Sequence, residues 1–394
     1  MKSFVIKGCR YDFLVEAYEG YVRTKIPLVG FSDGKFIPAG WGGSPGIYYF
    51  IPKIAFYFGL TIDQAINVFW GGLVVLSLVF SVTGFIILFK NKLPQLAVSF
   101  VYLFIFYFYM ISKITEEYLV SPMVSVVFVP WILILFKKDY KTYKLLSIYF
   151  IIGFMLSITN LIRSHSVTGL LLFILTLVIL HVKYTTKLKL LVCAVIVISM
   201  SIPGFYYKNV LLPEKNAFLR DKFAAIDLIE MSQPLWHSAY IGLAYAENDI
   251  VKPFYSDYVG EQKVKEINPQ LAEIPVHSAY KEYHEILKKE FFKIVKNNPW
   301  VIIINLGTKL AVLYIYFLVF ANIGIIASLT YKKPWSMELA LWFAIAFNSL
   351  VGLIIVPSGQ YISGFIAFSA LYGLFSVTHA VEKPQKRFNS GKNL

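Results

Sequence analysis

Charge is scarce in this chain, and acid scarcer than base. Only 15% of its 394 residues are charged, with 23 Asp and Glu against 37 Lys and Arg, while 57% are hydrophobic and 17% aromatic. Soluble domains carry roughly a quarter of their residues as charge, so this composition, with a mean hydropathy of +0.63, excludes a chain of soluble domains. It reads as an integral membrane protein. Cysteine is nearly missing too. Cys9 lies in the N-terminal segment and Cys193 in an apolar run, which argues against a disulfide and leaves no thiol metal site to be built from the pair. The opening "MKSFVIKG" lacks the 7–15-residue apolar core of a secretory signal.

What the chain does have is long apolar runs. A bilayer core of roughly 30 Å needs about 20 apolar residues in a helix, and nine runs are expected to cross: 66–89, 93–112, 119–136, 145–162, 167–182, 188–206, 306–330, 335–356 and 361–377. The fifth and ninth are short. The predicted fold is therefore an all-α polytopic membrane protein of about nine transmembrane helices with a large extracytoplasmic loop. Its parts are a first-loop segment (1–65), a six-helix region (66–206), the large loop (207–299), a three-helix region (300–378) and a basic tail (379–394).

Lysine placement predicts orientation. Lys90, Lys92, Lys137, Lys138, Lys141, Lys144, Lys183, Lys187, Lys189, Lys332, Lys333, Lys383, Lys386, Arg387 and Lys392 fall on one side, against Asp139, Glu338 and Glu382. Short loops retain such residues in the cytoplasm, so that side and the C-terminus are expected to be cytoplasmic, and 12 of the net +14 charges are explained by topology without nucleic acid. An odd number of spans then puts residues 1–65 outside. Either they cross unaided or a first span precedes this sequence; the second is the expectation.

Three outward segments could carry chemistry. In "YDFLVEAYEGY" (11–21), Phe13, Leu14, Ala17 and Val22 suit a membrane surface while Asp12, Glu16 and Glu19 occupy a neighbouring helical face. "GWGGSPG" then breaks the helix; without the Lys-Ser/Thr ending of a P-loop it reads as a turn. In "NLIRSHSVTG" (160–169), Arg163 and His165 sit at an outer turn, where Arg163 has two readings: a fork for phosphate, or a structural salt bridge to Asp12, Glu16 or Glu19. Lys309, at the outer start of a span, either faces a polar cavity or anion or snorkels to the headgroups. The loop "PLWHSAYIGLAYAENDIVKPFYSD" mixes Trp236, His237, Tyr240 and Tyr245 with Glu247, Asp249 and Asp257, the residue types of sugar-binding surfaces. Metal ligation by His237 with His277 or His284 has no standard spacing, and Ser238 beside His237 makes no triad. Downstream, 277–300 reads as an amphipathic helix, apolar at Tyr280, Tyr283, Ile286, Leu287 and Phe291.

Together, "YDFLVEAYEGY", "GWGGSPGIYYFIPKIAFYFGLT", "NLIRSHSVTG", "PLWHSAYIGLAYAEND" and the "NPW…NLGTK" approach to a span resemble the GT-C superfamily of integral membrane glycosyltransferases, in particular bacterial members linked to surface polysaccharide. The resemblance implies transfer of a sugar from a polyprenyl-phosphate donor to a lipid-linked or surface glycan acceptor, on the extracytoplasmic side of the bacterial inner membrane. It implies Asp12 as the acid that serves as base or metal ligand, with Glu16 and Glu19 behind it, and admits a divalent ion (Mg or Mn). Arg163, His165 and Lys309 would meet phosphate, and Trp236, His237 and Tyr240 the sugar or acceptor. A GT-C protein has a transmembrane helix directly before its acid, whereas this sequence starts about ten residues ahead of it, in line with the expected earlier span. Two alternatives stand beside this reading. A polysaccharide polymerase would share the outer loop and outer Arg residues; a lipid-linked oligosaccharide flippase or transporter would place ionisable groups deep in broken spans, which the nearly charge-free runs disfavour.

Overall fold

The computed structural model describes residues 3–40, 43–138, 140–220, 235–252, 256–272 and 280–390. The chain opens with α1 (Cys9–Thr24), a two-stranded hairpin of β1 (Val29–Ser32) and β2 (Lys35–Pro38), and α2 (Pro45–Phe58). The hairpin was not anticipated, although "SDGK" carries its signal: Asp33 and Gly34 both take positive φ, 50° and 75°, as a two-residue Asp-Gly turn requires. It packs against α1 where Gly20 meets β1; a Cβ at Gly20 would lie 2.1 Å from the Val29 carbonyl oxygen.

The membrane body follows: α3 (Ile62–Leu88), α4 (Leu93–Lys113), a 3₁₀ turn (Glu116–Leu119), α5 (Val120–Phe136), α6 (Thr142–Ile162), α7 (Thr168–Leu180) and α8 (Thr186–Tyr206). Thr61 and Gln64 start α3 as a capping box, each side chain accepting the other's backbone N–H. α8 continues through a π-helical turn (Tyr207–Leu211) into α9 (Leu212–Arg220), where Phe218 sets its ring edge-on to Phe36 of the hairpin, 5.1 Å between centroids. A small helical cluster comes next, α10 (Leu235–Gly242), α11 (Asp257–Ile267) and α12 (Tyr280–Asn297), with its own core of Tyr240, Ile241, Val259, Tyr283 and Leu287. The chain re-enters the body through α13 (Pro299–Ala321), α14 (Ile323–Thr330), α15 (Trp335–Ile354) and α16 (Ser363–Ser390).

Eight helices among the described residues are long and apolar enough to cross a membrane, one fewer than the nine predicted runs. The chain is thus an all-α integral membrane protein that lives in a lipid bilayer. The fifth run, 167–182, differs: it yields only the 13-residue α7, with Val167 taken up by the polar turn before it and the helix stopping at its cap, His181. α7 lies antiparallel to α15. Gly169 faces Asn348 so closely that a Cβ would stand 2.0 Å from the Asn348 Nδ2, and His181 Nδ1 meets Ser336 Oγ at 2.8 Å. α16 is the central helix, with 78% of its span buried against 22% for α13. Small residues let other helices close in, as where Gly153 of α6 meets Ser199 and the Ile196 carbonyl of α8.

The lysine-rich connections converge at one end of the bundle. There Lys92 pairs with Glu382 at 2.8 Å, and buried Lys333 is held by Glu338 at 2.8 Å and Ser376 at 2.6 Å. The α1–hairpin segment, the 163–167 turn and the α10–α12 cluster lie at the opposite end.

Candidate functional site

The site grows from the two faces of α1. Leu14, Ala17 and Tyr21 are buried beneath it, and Arg10 points the same way. Two residues along a helix turn the side chain by about 200°, so Asp12 faces away from Arg10. Asp12 is exposed and Glu16 half-buried one turn on, and neither carboxylate has a partner among the described residues. Glu19 pairs with Arg23 at 3.7 Å.

Arg10 instead meets the 3₁₀ turn between α4 and α5. Its guanidinium contacts Glu117, donates to Glu116 at 3.2 Å and reaches the Tyr118 hydroxyl at 3.3 Å. Glu117 is 1% exposed and accepts a second guanidinium, that of Arg163, at 3.0 Å. Arg163 also lies over the Tyr118 ring, 3.8 Å from its centroid. Two cations and two carboxylates therefore balance in a recess at the helix ends, where buried charge is costly unless paired. Two details mark the recess as more than a brace. Glu116 takes φ 50°, a left-handed backbone that a Glu adopts at a cost of order 1–3 kcal/mol. The Glu117 Oε2 is buried without a hydrogen-bond partner. Beside it a cavity of about 20 Å³, lined by Phe4, Arg10, Tyr11, Trp70, Glu116 and Glu117, has room for one water-sized molecule. The nearby phenol of Tyr48 on α2 is pushed up, first by burial and then by the Glu117 and Glu116 charges, with Arg10 opposing.

The Arg163 turn is tied to the glycine-rich stretch before α2. Ser164 N–H donates to the Gly43 carbonyl at 2.8 Å, and α2 begins so close to the end of α6 that a Cβ at Gly46 would lie 2.9 Å from the Ile162 nitrogen. That close approach is the structural use of Gly46. His165 takes φ 62° and is exposed, with no side-chain bond among the described residues.

Lys309 has a different neighbourhood. It is 1% exposed, and its ammonium donates to the Leu353 carbonyl at 3.0 Å and approaches that of Ile354 at 3.5 Å, occupying carbonyls that the end of α15 leaves without helical partners. One turn earlier Asn305 donates to the Gly242 and Leu243 carbonyls at 3.1 and 2.8 Å, fastening α10 to α13. Gly242 is needed there: a Cβ would lie 2.4 Å from the Ile354 oxygen.

The three residues expected to shape a sugar pocket all take part in packing α10. Trp236 is half-buried against Phe291 and Phe292, with centroids 5.5 and 5.2 Å away. His237 is buried with both ring nitrogens engaged, Nδ1 with the Tyr283 hydroxyl at 2.5 Å and Nε2 with Asp257 at 3.1 Å. Tyr240 is buried, and its phenol is pushed up to about 12 by that burial. Pro234 and His277 lie outside the described residues.

The structure thus joins Arg163 to a partner, as one of its two readings expected, but the partner is Glu117 and not Asp12, Glu16 or Glu19. No contact joins Arg163 to Lys309 or His237 among the described residues. The connection between α15 and α16 runs between the two neighbourhoods: Ile354 sits at Lys309, Gln360 donates to Thr115 at 3.1 Å, and the Tyr361 ring meets that of Tyr118 at 5.2 Å. Sequence reasoning passed over Arg10, Glu116, Glu117 and Tyr118. The signal was present as two adjacent acids in "KITEEYL", at the outer junction of two apolar runs. Among the described residues no group of three or more His, Cys, Asp or Glu side chains gathers where it could hold a metal ion. No family model matches this chain, and no curated protein or solved structure matches it.

Proposed function

We propose that the chain is a membrane glycosyltransferase of the GT-C kind, working at the end of the bundle opposite its lysines. The supporting observation is the recess in which Glu117 holds the guanidinium groups of Arg10 and Arg163. Ionisable groups kept at such a position are expensive, and function is the usual reason for keeping them.

The reaction would take a sugar from a polyprenyl-phosphate donor to a glycan or lipid-linked hydroxyl. The hydroxyl oxygen attacks the anomeric carbon, its proton passes to a carboxylate, and the bond from that carbon to the phosphate oxygen breaks to release polyprenyl phosphate. Asp12, exposed and without a partner among the described residues, is the proposed base, with Glu16 one turn behind it; since it lies on the opposite face of α1 from Arg10, the acceptor would approach over the outer face of that helix. A guanidinium has five N–H donors; with some committed to Glu117, the remainder on Arg163 can face the leaving phosphate, while Arg10, engaged by Glu116, Glu117 and Tyr118, fixes Glu117 in place. Exposed His165 sits two residues from Arg163, where it can add a hydrogen bond. Trp236, His237, Tyr240 and Lys309 act at a distance, holding the α10–α12 cluster against α13 and α15. By the lysine bias this end would be extracytoplasmic, and the GT-C resemblance implies a bacterial inner membrane.

The test is transfer by purified protein from a short-chain polyprenyl-phosphate sugar panel to a lipid-linked acceptor. Asp12→Asn and Arg163→Gln should abolish turnover, while Asp12→Asn leaves thermal unfolding unchanged because the group is exposed and has no partner among the described residues. Turnover that survives Asp12→Asn removes Asp12 from the mechanism; no turnover across the panel in the unaltered protein counts against the transferase reading.

A further inference from the structure

At the lysine-rich end the bundle holds a cavity far larger than the one under α1, about 510 Å³, within the ~300–1,000 Å³ range of small-molecule sites. It opens among the ends of α3, α5, α7 and α16 and the start of α15. Its rim is cationic. Lys137, Lys138, Lys183 and Lys333 line it with His181 and His379, and Glu382 is the acid among its lining residues.

These charges divide into spent and unspent ones. Lys333 is held by Glu338 and Ser376, and Glu382 is occupied by Lys92. Lys137, Lys138 and Lys183 form no contact ion pair among the described residues; Lys137 donates to the Leu88 carbonyl at 3.1 Å and feels Glu382 from farther off. Partial burial and then repulsion from Lys92 lower the Lys137 ammonium's affinity for its proton, with Glu382 opposing. Among the described lining residues four lysines stand against the single carboxylate of Glu382, an excess of positive charge that an anion would relieve. Below the rim the wall turns apolar, through Leu88, Phe89, Leu133, Phe136, Met337 and Phe375. An anion that also brings hydrocarbon satisfies both halves.

We propose that this cavity binds a phosphate-bearing lipid headgroup, with Lys137, Lys138 and Lys183 around the phosphate and the apolar wall receiving the first part of its chain. Phosphate is the shared chemistry of a lipid headgroup and a soluble anion, and the apolar wall favours the lipid. Basic pockets between membrane helices take anionic headgroups on the same electrostatic grounds. The inference stands apart from the transfer reaction, since it concerns the other end of the bundle and binding alone.

The experiment titrates the detergent-solubilised full chain with three probes: dioctanoyl phosphatidic acid, dioctanoyl phosphatidylcholine and inorganic phosphate. Phosphatidic acid should bind and the neutral-headgroup lipid should not. The triple variant Lys137→Gln, Lys138→Gln, Lys183→Gln should weaken phosphatidic acid on the order of 100-fold, about fivefold for each lysine. Lys187→Gln, exposed at the same end but outside the cavity lining, should leave it unchanged. Equal affinity in the triple variant overturns the proposal, as does an equal loss in Lys187→Gln, which would mean diffuse surface attraction. Inorganic phosphate binding as tightly as phosphatidic acid would assign the site to a soluble anion and overturn the lipid assignment.

Discussion

Arg163 donates to Glu117 at 3.0 Å across two helix ends, and Arg10 takes the same carboxylate from α1. One buried acid thus anchors the N-terminal helix and the α6–α7 turn together. Replacing it by Gln strands the Arg163 guanidinium and leaves Arg10 with Glu116 alone, and breaking a buried pair this way typically costs about 3–5 kcal/mol. Glu117→Gln should therefore lower the thermal unfolding midpoint in detergent markedly. Arg163→Gln should cost less, because Arg10 still neutralises Glu117 and Arg163 itself is partly solvated. Equal midpoints for the two variants would contradict this order.

Asn348 is wedged between two glycines. A Cβ at Gly169 would lie 2.0 Å from its Nδ2, and one at Gly364 would lie 2.3 Å from its Oδ1. Gly169→Ala alone should destabilise by about 1–3 kcal/mol through overpacking, and adding Asn348→Ala should return part of that loss. A strictly additive double variant, measured by thermal unfolding, would show that the clash is absorbed elsewhere.

Asn305 is the fastening between α13 and the outer cluster. Asn305→Ala leaves the Gly242 and Leu243 carbonyls without their donor, a loss of order 1–3 kcal/mol for buried groups. Faster hydrogen exchange should appear in 235–243 while α15 and α16 stay protected. Unchanged exchange in 235–243 would place the fastening elsewhere.

His181 bonds Ser336 at the lysine-rich end, and its partial burial pulls the imidazole below the usual value of about 6.5. The folded chain therefore releases this proton more readily than the unfolded chain. Just below pH 6.5 the unfolded state binds more protons, so stability from this group rises with pH through that window and falls as pH drops toward the folded value. In buffer without phosphate, His181→Gln should flatten the acid-side slope of the unfolding midpoint; an unchanged slope would exclude His181 as its source.

Much of the fold was legible because lipid leaves helices few alternatives. Apolar runs of about 20 residues must satisfy their own backbone, so the long spans and the amphipathic α12 could be read from spacing, with Tyr283 and Leu287 buried as its pattern required. The site was harder. Asp12 and Arg163 were visible as polar groups beside apolar runs, but pairing depends on which helix ends meet, and no spacing says that residue 117 faces residues 10 and 163. Glu116 and Glu117 were hidden by being short of the apolar run that follows them. His237 and Tyr240 carried the residue types of a sugar surface, yet tertiary packing turned both inward, toward Tyr283 and the core around it.

The brevity of α7 bears on how the protein meets membranes of different thickness. Thirteen residues make a helix of about 20 Å, against a hydrocarbon core of roughly 30 Å. Were α7 at the perimeter, lipids would have to thin around it. It packs instead against α5, α8 and α15, with Phe173 meeting Phe368 of α16 at 5.8 Å. Hydrophobic mismatch is thereby borne by longer helices such as α3 and α13, while the polar turn before α7 is held to Glu117 through Arg163. Lipids with longer or shorter tails would press on the rim of the bundle and leave that turn where it is.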